Sequence, residues 1–88
     1  MTPDELKQRT KKYALRAINL SDSLSQTRAG NIVAGQLIRS ATSVGANYRA
    51  ACRARSDPDF VSKIGVTLEE ADESVYWMEI IVESGMKN

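Results

Sequence analysis

The chain contains no histidine, and its only cysteine is Cys52. An internal disulfide is therefore impossible, and neither a structural zinc site nor a histidine-activated nucleophile can be assembled. The Glu-x-x-His ligands of a di-iron bundle are excluded for the same reason. No strand precedes a glycine-rich phosphate loop either. We therefore expect a protein that is not an enzyme and that holds no cofactor and no metal.

Long apolar runs are also missing. No segment approaches the roughly 20 apolar residues that span a bilayer, and residues 1–5 show no apolar targeting stretch. With a lone cysteine, this predicts a cytoplasmic protein with no membrane partner. The 88 residues should form a single domain, 1–88, whose own core is only marginally stabilising. Because disulfides and metals are excluded, association with other chains is the expected source of further stability.

The net charge of +1 conceals two oppositely charged halves. Residues 1–55 contain ten Lys and Arg against three Asp and Glu, a net +7, whereas residues 56–88 contain two against eight, a net −6. The basic half suits a nucleic-acid surface and the acidic half a docking face. Attraction between the helices themselves explains the same split structurally, and we favour it because the bases are spread around the helices. The candidate nucleic-acid contacts are Lys7, Lys11, Lys12, Arg16, Arg49, Arg53 and Arg55.

Apolar or small residues recur every three or four positions along three segments, which predicts three helices. Thr2 and Pro3 are typical of a helix start, and Gly30 signals a loop or cap before the second helix. The acidic turn around Pro58 should open the third helix, and Gly85 should close it. The short connections predict an all-α, up-down antiparallel helical bundle. The predicted helices cover residues 3–26, 31–55 and 58–84.

The second helix has an unusually small core side. Glycine inside a helix is unfavourable by about 1 kcal/mol relative to alanine, so Gly35 and Gly45 predict the close approach of a neighbouring backbone, or a kink near Gly45. Ala41 is predicted at the same contact. Cys52 lies on this stripe and is predicted to be a small buried residue.

A polar flank runs along the same helix, where Arg39, Ser43 and Asn47 are spaced i, i+4 and i+8. A structural role is favoured over ligand binding, because a partly buried charge needs a partner. We predict that Arg39 pairs with Glu70 or Glu73 of the third helix, and that Asn47 is hydrogen-bonded to backbone.

The third helix carries an apolar stripe that should face the core. Tyr76 and Trp77 lie beside the stripe, and two aromatic side chains are unfavourable in water, so a second apolar surface is expected to cover them. The stripe consists of Phe60, Ile64, Thr67, Leu68, Ala71, Val75 and Met78.

Residues 36–51, QLIRSATSVGANYRAA, resemble the second helix of the four-helix bundle proteins encoded in 23S ribosomal RNA intervening sequences. Residues 60–64, FVSKI, and 70–79, EADESVYWME, resemble their third helix. The resemblance implies a small up-down bundle that assembles into a ring, typically a pentamer, with no known biochemical role in most members. A related member, the accessory variability determinant of diversity-generating retroelements, binds reverse transcriptase and nucleic acid.

Two departures from the family pattern matter. Many members have Ser-Ile-Pro before the shared Asn47 and Ala-Glu-Gly after it, where this chain has residues 43–45, SVG, and 49–51, RAA. A role carried by that glutamate therefore cannot be transferred. The family's fourth helix should follow Gly85, yet the sequence stops at Asn88. The resemblance thus predicts a missing fourth helix. Either the chain is a fragment, or another protomer or a rearranged helix fills the place of that helix.

These observations favour a non-enzymatic, homo-oligomeric helical scaffold or adaptor whose partner is another copy of itself. The alternative is an RNA- or DNA-binding accessory protein that uses the basic residues of the first two helices, alone or beside a nucleic-acid enzyme. The residues assigned to structure or interface are Gly35, Arg39, Ala41, Ser43, Gly45, Asn47, Tyr76 and Trp77.

Overall fold

A computed structural model describes residues 1–87 and contains three α-helices. Their short connections make neighbouring helices run in opposite directions, which confirms the predicted all-α, up-down arrangement. No strand occurs within residues 1–87, where a single bridge joins Leu24 to Lys87. This bridge brings the ends of the first and third helices together. The helices are α1, Pro3–Asp22; α2, Arg28–Cys52; and α3, Asp57–Ser84.

Helix α1 ends at Asp22, before the predicted boundary at residue 26. The N–H groups of Ser23 and Leu24 donate to the carbonyls of Leu20 and Ser21 at 3.0 and 3.2 Å, which tightens the last turn. Leu24 is then buried in the core, at 4% exposure. The helix stops early because burying Leu24 requires the chain to turn inward at this point.

Helix α2 begins at Arg28, earlier than the predicted residue 31. Thr27 caps it, with Oγ1 accepting from the Gly30 N–H at 3.0 Å. Gly30 is therefore buried in the capped first turn, so of the predicted loop or cap the structure shows the cap. A Cβ atom at Gly30 would lie 2.3 Å from the carbonyl oxygen of Ser25, so the close approach of the preceding chain requires glycine here.

The other helix ends lie near their predicted positions. Helix α2 ends at Cys52 instead of residue 55, and α3 begins at Asp57, one residue before 58, where the Ser56 Oγ accepts from the Asp59 N–H at 3.2 Å. Gly85 closes α3 in the left-handed conformation, with φ of 73°, as its sequence position predicted.

Helix α2 lies between the other two helices. Its Cα atoms come within 8 Å of those in α1 and in α3, whereas no Cα of α1 lies within 8 Å of one in α3. Side chains bridge that gap, and the Tyr13 and Ser74 hydroxyls are 2.5 Å apart. Helices α1 and α3 thus flank an open groove. The core side chains are Ala17, Leu24, Val33, Leu37, Ala41 and Ile81.

The two helical glycines of α2 behave differently. A Cβ atom at Gly45 would lie 3.2 Å from Oγ1 of Thr10 and 3.6 Å from its backbone carbonyl carbon, so α1 approaches here as predicted. At Gly35 an added Cβ meets no atom within 4 Å, and the residue is exposed. The close approach predicted at Gly35 is therefore not made within the chain. The neighbouring residue, Ala34, packs against the core instead.

This contrast predicts different effects for two matched substitutions. Gly35→Ala should raise the free energy of unfolding by about 0.5–1 kcal/mol, because alanine loses less backbone entropy in a helix. Gly45→Ala should gain less, since its methyl group displaces the Thr10 hydroxyl, which donates to the Lys7 carbonyl at 3.1 Å. Urea unfolding of both variants at one protein concentration measures the difference, and equal gains would contradict the close contact.

Candidate functional site

Arg39 fastens α2 to α3. Its Nη1 donates to Glu70 Oε2 at 2.8 Å, its Nη2 donates to Glu73 Oε2, and its Nε donates to Gln36 Oε1 at 3.2 Å. Trp77 Nε1 also donates to Glu73, at 3.1 Å. The pairing predicted for Arg39 is therefore confirmed, and it engages both carboxylates. Because each of the three guanidinium nitrogens donates to a group of its own chain, this cluster is suited to holding helices together.

The rest of the polar flank also bonds locally. The Ser43 Oγ donates to the Arg39 carbonyl at 2.8 Å, and Asn47 Nδ2 donates to the Ser43 carbonyl at 2.9 Å. The backbone bond predicted for Asn47 is confirmed. Within residues 1–87, the side chains of this flank are therefore bonded to their own helix, as the structural role predicted for them requires.

The adjacent aromatic residues Tyr76 and Trp77 of α3 have different environments. Trp77 packs against the core and bonds Glu73, whereas Tyr76 is 53% exposed. Their rings meet edge to face, with centroids 5.2 Å apart. Of this pair, Tyr76 is the side chain that the described chain leaves largely uncovered.

Three of the seven predicted nucleic-acid residues line one groove between α1 and α2. Lys7 and Lys11 project from α1 and Arg49 from α2, around a cavity of about 230 Å³. Small side chains and hydroxyls form the rest of its walls. A concave surface with three cations can attract phosphate groups. The other lining residues are Thr10, Ala14, Thr42, Gly45 and Ala46.

The remaining predicted bases lie elsewhere. Lys12 is exposed on α1, and Arg16 lines the groove between α1 and α3. Arg53 and Arg55 follow the end of α2, and Arg55 borders a further cavity at that end, which Lys7 lines as well. The seven bases therefore do not all line one groove.

Cys52 is exposed, so its predicted burial was wrong. The preceding residue, Ala51, occupies the buried position at 1% exposure, and one residue further is a rotation of about 100° around the helix. A hydrogen bond with the Cys52 thiol, together with burial, raises the pKa of Tyr48. At the start of α3, a hydrogen bond from Lys63 Nζ, 2.6 Å from Asp59 Oδ1, lowers the pKa of Asp59.

The groove between α1 and α3 has a volume of about 380 Å³. Tyr13, Ala17 and Leu20 line it from α1, Met78 lines it from α3, and Arg16 stands at its edge. Its walls are mainly apolar, and no part of residues 1–87 covers it from outside. The apolar periodicity had placed Met78 on the core face of its helix, without indicating that a groove separates α1 from α3.

Beside this groove, α3 exposes a line of aliphatic side chains that we call the α3 seam. It consists of Val61, Leu68, Val75 and Val82, which are 67%, 65%, 48% and 78% exposed. Leu68 and Val75 were predicted to face the core, as was Phe60, which is 44% exposed. Those assignments were wrong, because the buried positions on this helix are taken by Ser74 and Ile81. The seven-residue spacing of the seam was visible in the sequence and was missed.

A family model described as 23S rRNA-intervening sequence protein matches residues 4–88. The chain belongs to this family. A crystal structure of a protein with unknown function from the S23 ribosomal protein family of Bacteroides thetaiotaomicron is similar, with a TM-score of 0.86 and 34% sequence identity. The match covers 96% of this chain and 75% of that chain. A comparison with curated proteins finds no match.

Two further observations concern this member of the 23S rRNA-intervening sequence protein family. Over residues 1–87, no group of three or more Cys, Asp and Glu residues is placed to hold a metal ion. None of the three helices carries an apolar stretch long enough to cross a membrane.

Proposed function

We propose that this protein is a non-enzymatic helical scaffold or adaptor that works as a homo-oligomer. The open groove between α1 and α3 carries the proposal, because its apolar walls and the adjoining α3 seam face water in a single chain. Apolar patches of this kind, bordered by charged residues, are typical of protein interaction surfaces. A small domain without a disulfide gains stability when such a surface is covered.

The family resemblance gives an expectation for the form of this assembly. The solved S23-family structure extends beyond this chain, since the match covers only 75% of it. The resemblance to four-helix bundle proteins implies that a fourth helix belongs beside α1 and α3. We propose that the chain assembles with other copies of itself, and that the assembly is cytoplasmic. The resemblance implies a ring of about five copies.

Sedimentation equilibrium of the full chain at micromolar concentration tests the proposal. We expect a mass that is a multiple of the 9.7 kDa chain mass. The assembly should also melt at a temperature that rises with protein concentration, because association stabilises the folded state by mass action. A monomer mass together with a cooperative, concentration-independent melt would refute the homo-oligomer.

A second candidate function, an RNA- or DNA-binding accessory protein, is favoured by the groove that gathers Lys7, Lys11 and Arg49. Three cations on one chain make a weak site. Repetition of the groove in an oligomer would raise the avidity for a polyanion. This function requires the same assembly and adds a ligand to it.

Mobility of labelled RNA and DNA at low and moderate salt tests this second function. Arg49→Glu should weaken binding and reduce its salt dependence, because one phosphate contact is replaced by repulsion. Arg28→Glu is the matched control, since Arg28 is an exposed arginine on the same helix and does not line the groove. Equal losses in both variants, or no retardation of either nucleic acid at low salt, would contradict specific binding at this groove.

A further inference from the structure

The groove lined by Lys7, Lys11 and Arg49, which we call the α1–α2 groove, differs in place and chemistry from the apolar groove between α1 and α3. The two grooves have no lining residue in common, and the family resemblance places a fourth helix beside α1 and α3 only. Gly45 and Ala46 line the α1–α2 groove, and Gly45 lets α1 approach closely. Its volume of about 230 Å³ is below the roughly 300–1,000 Å³ of sites that enclose a whole small molecule. It therefore suits a short part of an extended ligand.

The positive charge of the α1–α2 groove is available to a ligand. Within residues 1–87, neither Lys11 nor Arg49 forms an ion pair. Lys7 pairs with Asp4 at 4.0 Å, and the Asp4 side chain is 95% exposed. An ion pair this exposed contributes little, so a phosphate group can replace it. Three cations from two helices therefore line a groove that attracts the phosphates of a polyanion.

The two threonines that line the groove offer a ligand acceptors instead of donors. Thr42 Oγ1 donates to the Ile38 carbonyl at 2.7 Å, and Thr10 Oγ1 donates to the Lys7 carbonyl at 3.1 Å. A hydroxyl has one proton and two lone pairs, so each threonine keeps acceptor capacity once its proton is committed to backbone. Thr10 packs against Gly45, where an added Cβ would lie 3.2 Å from its Oγ1. We therefore assign the ligand contact to Thr42.

A ligand that matches both features carries an anion and, beside it, a hydroxyl donor. Each nucleotide of RNA has a phosphate and a ribose 2′-OH, whereas DNA lacks the 2′-OH. Proteins that hold single strands without reading the sequence use a positively charged groove along the backbone, commonly with aromatic residues that stack on the bases. None of the eight residues that line the α1–α2 groove is aromatic. The groove is therefore suited to the backbone of a strand and not to its bases.

We propose that the α1–α2 groove binds the sugar–phosphate backbone of single-stranded RNA and distinguishes it from DNA. Lys7, Lys11 and Arg49 contact phosphates, and Thr42 Oγ1 accepts a hydrogen bond from a ribose 2′-OH. The inference rests on the second candidate function, nucleic-acid binding, and specifies its ligand. A single strand is favoured over a duplex because an A-form duplex displays its 2′-OH groups on a shallow minor groove, which a projecting element contacts more readily than a concave one.

Fluorescence anisotropy of three matched probes tests the ribose contact on the full chain at low salt. The probes are a labelled oligouridylate of about twelve nucleotides, the oligodeoxyuridylate of the same length and the 2′-O-methyl oligouridylate. The three have the same bases and the same number of phosphates, and only the first has a 2′-OH donor. We expect the RNA to bind about threefold to tenfold more tightly than the other two, which is the effect of one hydrogen bond.

Two matched threonine variants assign the contact to a residue. Thr42→Val keeps the shape of the side chain but removes the acceptor, so it should lower the affinity for RNA to that for DNA and leave DNA binding unchanged. Thr67→Val is the control, because Thr67 is a partly buried threonine of α3 whose Oγ1 also donates to a backbone carbonyl, that of Lys63, at 2.9 Å, and it does not line the groove. Arg49→Glu should weaken the binding of RNA and DNA alike, since the phosphate contact is common to both. Circular dichroism checks that all variants fold.

The outcomes separate this inference from the function on which it rests. Equal affinities for RNA and DNA, both weakened by Arg49→Glu, would overturn the ribose contact while leaving nucleic-acid binding at the groove supported. Equal losses of RNA affinity in Thr42→Val and Thr67→Val would overturn the assignment to Thr42, and tighter binding of duplex RNA would overturn the preference for a single strand. Absence of binding to any probe at low salt would overturn both the inference and the second candidate function. A preference for RNA that Thr42→Val removes and Thr67→Val retains would establish the contact.

Discussion

Replacement of Leu37 by alanine is expected to lower the free energy of unfolding by about 2–5 kcal/mol. Leu37 is 0% exposed and is among the largest fully buried side chains of the chain. It lies in the same core cluster as Ala17 and Ile81, which belong to α1 and α3. Removing its isobutyl group loses apolar burial and leaves a cavity between all three helices. Domains are stable by only about 5–15 kcal/mol, so the loss is a large fraction of the total.

Urea unfolding followed by circular dichroism measures this effect, with parent and variant at one protein concentration. Ile32→Ala provides the control, because Ile32 is on the same helix and is 58% exposed. The control should change stability far less. If both variants unfold at the same urea concentration, the packing of α2 between α1 and α3 is incorrect.

The sequence was sufficient for the helices because their signals are local. Apolar periodicity, Pro3 and Gly85 depend on residues within a few positions, and these features predicted the three helices and three of their six ends to within one residue. The need for glycine at position 30 could not be predicted, because it comes from a contact made in the folded chain. The backbone at Ser25 comes so close to Gly30 that a Cβ atom would not fit, and no sequence pattern shows this approach.

Helix α3 shows a different limit. It carries two apolar lines, one that includes Met78 and partly faces the groove, and one that forms the α3 seam. Periodicity merged them into one core stripe, since both recur at helical intervals. In the structure a buried polar residue, Ser74, belongs to the face that packs on the core. Its hydroxyl donates to the Ala71 carbonyl at 2.7 Å and can therefore be fully buried. A polar residue whose hydrogen bond is made within its own helix can belong to the core.

The candidate residues divide in the same way. Arg39 was predictable, because a partly buried charge needs a partner and α3 carries eight of the eleven Asp and Glu residues. The grouping of Lys7, Lys11 and Arg49 was not predictable, since it depends on the close approach of α1 and α2 at Gly45. Cys52 was misplaced by a single position, which in a helix is enough to exchange the core for solvent.

Ala41→Leu is expected to lower the free energy of unfolding by about 1–3 kcal/mol, because it adds volume to the core where Leu37→Ala removes it. Ala41 is 0% exposed in the cluster that contains Leu37, on the face of α2 where small residues allow close packing. A leucine there must displace a neighbouring helix or adopt an unfavourable rotamer. Ala46→Leu is the matched control, because Ala46 is an exposed alanine on the same helix. A parent-like melt of Ala41→Leu would place this face toward solvent and contradict the fold.

The double variant Leu37→Ala/Ala41→Leu tests whether the leucine added at position 41 can fill the cavity left at position 37. Residues four apart lie on the same face of a helix, so the new leucine can reach part of the volume vacated at position 37. Its destabilisation should therefore be smaller than the sum of the single effects, by about 0.5–3 kcal/mol. Chemical unfolding of the four proteins, parent included, gives this coupling energy. Strict additivity would show that Leu37 and Ala41 pack into separate parts of the core.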